Sequence, residues 1–257
     1  MMNLHTRSNQ GAEQRPFRTI AHRGDVSNAP ENTIAAFSTS NLYDPNVFNR
    51  VIEADFLKTS DGKYVVIHDT TVDRTTNGTG NVADLTLAEI KELDAGSWYD
   101  ASFAGEKVPT MQELFEHCAN NKITLWFDNK ISNLDSDDAK AILDTWINAG
   151  NRLHNLIFFS SENNYSWAGT MRAENPSVRL GFFVNNNKSV SAVVSSVGAY
   201  SKPWIVSLEK SLALTYTTNI SLLKETFDLV FVHTVVNGSE KTTATGKSPD
   251  GILSDIT

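Results

Sequence analysis

Short apolar runs recur along the chain, and between them apolar residues return at helical spacing rather than in strict alternation. That rhythm is expected of βα units feeding a parallel sheet. Eight runs read as strands: Arg18–His22, Val51–Asp55, Ile123–Asp128, Leu156–Phe159, Arg179–Val184, Trp204–Leu208, Leu229–Thr234 and Gly251–Ser254. With helix-like segments between them they predict an α/β chain folded as a (β/α)8 TIM barrel, whose reactive side chains gather at the C-terminal ends of the strands. The clearest helix is Ser136–Ile147. Ser136 offers a capping hydroxyl, acidic residues fill the first turn, and Ala141, Ile142 and Trp146 form an apolar side.

One run breaks the rhythm. Tyr64–Asp69 follows the second strand after a handful of residues, whereas a parallel crossover needs about a dozen. The link contains Asp61-Gly62, a dipeptide suited to a tight turn, so this run is expected to return antiparallel to the second strand. A turn centred on those two residues makes the numbers of opposed residues sum to about 123 and sets His68 across from Asp55. The stretch 70–109 is too long for an ordinary connection and is expected to form a small insertion over the barrel mouth, helical near Thr86–Leu93. Residues 1–16 read as a loose polar tail and 17–257 as a single barrel domain.

Composition narrows the function classes. At 257 residues, 40% hydrophobic and 20% charged, the chain suits one ordinary globular domain. No apolar run approaches the roughly 18 residues a membrane span needs, so no transmembrane segment is expected. The N-terminal stretch lacks the basic and apolar regions of a secretory signal, which leaves the cytoplasm as the default compartment and attachment to a larger surface or viral assembly as the alternative. Cys118 is the one cysteine, which excludes an internal disulfide. A formal net charge of −8 argues against nucleic acid or an anionic membrane as partner. An anionic small molecule therefore needs a local positive field. Oligomeric state leaves no mark in the sequence.

Four clusters carry candidate chemistry. Ala21-His22-Arg23-Gly24 ends the first strand ahead of Pro30-Glu31-Asn32-Thr33; an imidazole there can exchange protons near neutral pH and a guanidinium can fork onto phosphate, although the pair alone also suits a surface loop. Glu53-Ala54-Asp55 places two carboxylates on the same side of an apolar strand. Burying both unpaired is costly, so a hard cation with oxygen ligands is the natural solution, the bland alternative being a solvated acidic edge. Asp128 and Lys130 share a face at the end of the third strand, which alone reads as a salt bridge or loop start. His68-Asp69, carried to Asp55 by the hairpin, supplies a second imidazole, so one group can take a proton and the other give one.

At these residues the chain resembles the glycerophosphodiester phosphodiesterase family. The likeness spans nearly the whole sequence: His22-Arg23-Gly24, Pro30-Glu31-Asn32-Thr33 with Ala36-Phe37, Glu53-x-Asp55, Thr59-x-Asp61-Gly62, His68-Asp69, Asp73-Arg74-Thr75-Thr76-Asn77-Gly78, Val108-Pro109-Thr110, Asp128-x-Lys130 and Asp250-Gly251-Ile252-Leu253-Ser254-Asp255. The resemblance implies a barrel enzyme that splits a small-molecule glycerophosphodiester into an alcohol and glycerol 3-phosphate. It implies His22 and His68 as general base and acid, Glu53, Asp55 and Asp128 as ligands of Ca²⁺ or Mg²⁺, and Arg23 and Lys130 as phosphate holders. Two departures stand out. The third metal carboxylate is usually Glu, so Asp128, one methylene shorter, is expected to shift the ion by about 1 Å or call in a water. The family's Trp-Thr-Val-Asn pattern near the seventh strand appears as His233-Thr234-Val235-Val236-Asn237, which removes an aromatic from the expected leaving-group pocket. Two rival readings accompany the main one: a related phosphodiesterase acting on intact phospholipid or on a glycerol-phosphate polymer such as teichoic acid, and a binding module that has lost turnover.

Overall fold

The computed structural model describes residues 18–40, 50–131, 134–160, 166–184, 204–209, 229–235 and 251–254. In chain order, β1 (Arg18–Ala21) leads through α1 (Ile34–Thr39) to β2 (Arg50–Lys58) and the short β3 (Tyr64–Val66). Next come α2 (Leu87–Glu92), α3 (Met111–Asn121), β4 (Ile123–Asn129), α4 (Ser136–Asn148), β5 (Leu156–Ser160), α5 (Ser166–Glu174) and β6 (Arg179–Val184). The last described strands are β7 (Trp204–Glu209), β8 (Leu229–Val235) and β9 (Gly251–Ser254). All except β3 run parallel, in the spatial order β1-β9-β8-β7-β6-β5-β4-β2, and pairing of Ala21 with Ile52 joins β2 back to β1. The sheet thus closes into the predicted parallel barrel, built from the eight predicted strands with small shifts at their ends. The expected tail 1–16 lies outside the described residues.

Side chains alternate across each strand, and the barrel separates them into two cores. Outward residues Ile52, Ala54, Phe56, Leu125, Phe127, Phe158, Leu180, Phe182, Val206 and Val230 pack with Phe37, Leu114, Phe115, Ile142 and Trp146 from the helices. Inward residues Ile20, Trp126, Ile157, Phe159, Phe183 and Phe231 fill the lumen. Trp126 stacks on Phe159 with centroids 4.2 Å apart and meets Phe231 edge-on at 4.8 Å. Gly181, in register with Phe159, makes this filling possible, because a Cβ there would lie 2.4 Å from the Phe159 ring. Aromatic packing therefore plugs the barrel and leaves chemistry to the rim.

The hairpin forms as expected, with its register one residue off the prediction. Phe56 faces Val66, Leu57 faces Val65 and Lys58 faces Tyr64, so opposed numbers sum to 122 and His68 falls level with Ala54 rather than Asp55. The turn is a three-residue loop: Thr59 N–H donates to Lys63 O at 2.8 Å, Gly62 N–H donates to Thr59 O at 3.0 Å, and Gly62 takes φ +73°. A glycine in that left-handed conformation adds one residue to the two-residue turn that the dipeptide suggests.

Residues 70–109 pack on this hairpin. Val72, Val82, Ile90, Ala95 and Val108 share a small core with Leu57, Val65 and Ile67. The expected helical piece is α2, capped by Thr86 and Glu89, which satisfy each other's backbone N–H groups. Beyond it the Asp94 carboxylate accepts from the N–H groups of Gly96, Ser97 and Gly105, which holds it well below the usual carboxylate range. Helix α4 begins at the predicted Ser136, but its cap is the preceding Asp135, whose carboxylate accepts from Asp138 N–H. The carboxylate outcompetes the hydroxyl because it meets the first-turn N–H groups with a full charge.

Phe127 stacks on Phe56 at 3.8 Å and on Phe158 at 5.2 Å, at the centre of the outer core. Phe127→Ala is expected to destabilise the fold by about 3–5 kcal/mol, measured by urea unfolding. A cost under about 1 kcal/mol would mean that this stack does not anchor the sheet to its helices.

Candidate active site

Strands β2 and β4 are paired in parallel with Asp55 opposite Asp128 and Glu53 opposite Trp126. Because Glu53, Asp55 and Asp128 share the inward parity, their side chains leave the strands toward one place at the barrel mouth. Ligand-capable oxygens of all three lie within 4.8 Å of one another, and all three residues are buried. The expected trio is therefore assembled.

Two cations sit against it. Lys130 Nζ lies 2.5 Å from Asp128 Oδ2 and 3.4 Å from Asp55 Oδ1. Arg23 Nε is 3.4 Å from Asp55 Oδ2, an ion pair without hydrogen-bond alignment, and its Nη1 donates to Glu31 Oε1 at 3.0 Å. The Arg23 backbone N–H donates to Glu53 Oε2 at 2.9 Å. The backbone there is left-handed at Arg23 (φ 56°) and again at Gly24 (φ 89°). A Cβ on Gly24 would come within 2.8 Å of the α1 backbone at Ala36, so the tight turn that aims Arg23 depends on glycine. Asn32, also left-handed, donates through Nδ2 to Asp55 Oδ2 at 2.9 Å and accepts from Asp55 N–H at 3.3 Å.

The electrostatics follow from crowding. Burial first, then the neighbouring Asp55 and Asp128, push the Glu53 carboxyl well above its ordinary value. Burial also raises Asp128, with Lys130 partly offsetting it and Asp55 adding to it. For Asp55, burial is overcome by Lys130, Arg23, His68 and the Asn32 hydrogen bond, so that it stays below the ordinary aspartate value. Among the described residues three carboxylates face two cations, leaving negative charge uncompensated. Asp128 Oδ1 is buried with no hydrogen-bond partner among the described residues. An orphaned carboxylate oxygen inside a set of hard oxygen donors fits a divalent cation such as Ca²⁺ or Mg²⁺.

His22 follows β1 directly and is partly buried; continuing the Ala21–Ile52 register puts it level with Glu53. His68 follows β3, with Nδ1 2.7 Å from Asp69 Oδ1. The Arg74 hydrogen bond, then that with His68, holds Asp69 well below the carboxylate range despite some burial. The structure thus brings six predicted residues, Arg23, Glu53, Asp55, His68, Asp128 and Lys130, into one electrostatic cluster, with His22 at its edge. Sequence reasoning quoted Asn32, Glu31 and Arg74 inside motifs without a task. Their roles depend on pairings between residues 23 and 43 positions apart, which no local pattern reveals. His233 falls on β8, but its side chain lies outside the described residues.

A family model described as the glycerophosphoryl diester phosphodiesterase family matches residues 22–257. The chain belongs to that family. A glycerophosphodiester phosphodiesterase of Caldanaerobacter subterraneus subsp. tengcongensis is 57% identical over 97 residues, 38% of this chain and 38% of the relative. Human glycerophosphodiester phosphodiesterase 1 is 42% identical over 113 residues, 43% of this chain and 33% of the relative. These alignments thus span well under half of the curated relatives' length. Among solved structures, an Oleispira antarctica phosphodiesterase in complex with the product sn-glycerol-3-phosphate superposes with a TM-score of 0.79 at 26% identity, covering 93% of this chain and 92% of that one. The glycerophosphodiester phosphodiesterase from Agrobacterium tumefaciens gives 0.71 at 26%, covering 93% and 96%.

Because folding raises the Glu53 pKa, the ionised carboxylate costs stability as pH climbs from the ordinary glutamate value, about 4.3, through its elevated folded value. Comparing metal-free protein with Glu53→Gln by thermal melting at several pH values, the variant is expected to gain relative stability as pH rises. It is also expected to lose the melting increase that Ca²⁺ or Mg²⁺ gives the parent. Parallel pH curves with an undiminished metal response would show that Glu53 neither carries this strain nor binds the ion.

Proposed function

We propose that this protein hydrolyses glycerophosphodiesters to an alcohol and glycerol 3-phosphate in a metal-dependent reaction. The observation that carries the reading is the convergence of buried Glu53, Asp55 and Asp128 beside Arg23, Lys130 and His68 at the mouth of a parallel barrel. The three carboxylates would hold a Ca²⁺ or Mg²⁺ ion, which when bound neutralises phosphate charge and favours displacement at phosphorus. Together with that ion, Arg23 and Lys130 would supply the local positive field that a net charge of −8 withholds. Both lie beside Asp55, from where their N–H groups would hold the non-bridging phosphate oxygens.

His22 and His68 divide the proton transfers. One takes the proton of the attacking hydroxyl, from water or from the substrate's own glycerol. The other protonates the alcohol oxygen as its bond to phosphorus breaks. If the glycerol hydroxyl attacks, a cyclic phosphate forms and water opens it in a second step, giving the same products. Asp69, kept ionised, accepts from His68 Nδ1, so exchange with substrate falls to Nε2. Family membership and the product held by the Oleispira antarctica neighbour support the same substrate class.

The test is release of glycerol 3-phosphate from glycerophosphocholine by metal-stripped protein, with and without added Ca²⁺ or Mg²⁺. Phospholipid micelles and polyglycerol phosphate serve as parallel substrates. Metal-dependent release from the small diester is expected. Turnover confined to micelles or polymer would reassign the substrate, and no release at all would leave a binding module. His22→Ala and His68→Ala are each expected to lower kcat by about 10²–10⁴-fold with melting unchanged. Full activity in both variants would remove the histidines from the chemistry.

A further inference from the structure

Arg74 lies in none of the roles above, yet it ties two arms of the site together. Its Nε and Nη2 donate to Asp69 Oδ2 and Oδ1 at 2.6 and 3.0 Å, while Nη1 and Nη2 donate to Glu31 Oε2 and Oε1 at 2.7 and 2.8 Å. Asp69 in turn meets His68, and Glu31 meets Arg23. The guanidinium thus grips two carboxylates at once, each in bidentate fashion, using four of its five donors.

We infer that Arg74 is a positioning residue, and that the chain His68–Asp69–Arg74–Glu31–Arg23 sets the proton-exchanging imidazole and the phosphate-holding guanidinium in one fixed relation. This rests on the function proposed above. The segment 70–109 thereby acquires a task, since it delivers Arg74 to the mouth. The local backbone fixes Arg74 in turn: Val72 N–H donates to Gly80 O, Thr76 Oγ1 to Val72 O, and Gly80 N–H to Asp73 Oδ1. Charge alone does not account for the arrangement, because a lysine presents a point charge that cannot span two carboxylates in one plane. Arg74 is itself 44% exposed, so it is reachable from solvent and bears no core packing. Losing it need not unfold the protein.

Arg74→Ala and Arg74→Lys are therefore expected to lower kcat on glycerophosphocholine by about 10–100-fold, the usual effect of groups that orient a reacting residue, with a smaller change in KM and unchanged melting. In a His68→Ala background Arg74→Ala is expected to cost under about 3-fold, because the group it orients is already gone. Equal losses in both backgrounds, or parental kcat in Arg74→Ala, would overturn the assignment. A second reading does not depend on turnover. Nitrogen NMR of ¹⁵N-histidine-labelled protein is expected to show His68 protonated on Nδ1 in the parent and as a mixture of tautomers in Arg74→Ala. An unchanged His68 spectrum refutes the positioning role even if the protein proves inactive on every diester, whereas an inactive parent with the expected spectral change refutes the proposed reaction and leaves the positioning intact.

Discussion

Like charges confined away from water govern this structure. Three carboxylates at the mouth of one barrel repel each other, and burial removes the solvent that would otherwise screen them. Such a cluster persists only if other forces hold its backbone in place and if its charge can be met on demand. The first condition is supplied by the aromatic packing on both sides of the sheet. The second is supplied in part by Lys130 and Arg23, which leave a remainder suited to a divalent ion.

The division of labour between faces makes this possible. Outward residues of β2 and β4, Phe56 and Phe127, are stacked and pinned against helix α3 through Phe115. With those positions fixed, parity sends Asp55 and Asp128 inward, because neighbours along a strand leave on opposite sides. Below them Trp126, Phe159 and Phe231 close the lumen. The carboxylates cannot sink to pair with groups deeper in the barrel, so they stay at the rim. Stability and reactivity thus occupy alternate residues of the same strands.

This alternation explains what was legible in the sequence. The runs of apolar residues announced every parallel strand, since a buried strand must be apolar on the outer face whatever its inner face does. Glu53-Ala54-Asp55 stood out because its two charges fall on the inner face of an otherwise apolar run, whereas Asp128 and Lys130 taken alone read as a salt bridge or loop start. The hairpin was legible from Asp61-Gly62, but its register was not. Whether glycine occupies the second position of a two-residue turn or the left-handed position of a three-residue loop depends on hydrogen bonds at Thr59 and Lys63 that the dipeptide does not encode. Likewise, Arg23 and Asn32 adopt positive φ angles without being glycine. Asn32 is held there by its paired hydrogen bonds to Asp55, a tertiary compensation for a local cost. Arg74 shows the same limit at longer range. One of its partners, Asp69, is a near neighbour in the chain, but Glu31 lies 43 positions away, and only the fold brings both within reach of one guanidinium.

The shortened third carboxylate is best understood from the register. Asp128 lies directly opposite Asp55 on adjacent strands, which are about 4.8 Å apart in any sheet. Their side chains are therefore neighbours irrespective of length, and losing a methylene does not cost Asp128 its contact with the cluster. What it costs is reach toward the barrel axis. Glu53, seated one pleat deeper on β2, carries the longer side chain and still joins the other two within 4.8 Å. The oxygens consequently gather against the wall formed by β2 and β4, where Lys130 also projects from the end of β4. Aspartate at position 128 thus keeps its charge beside Asp55 and within reach of Lys130.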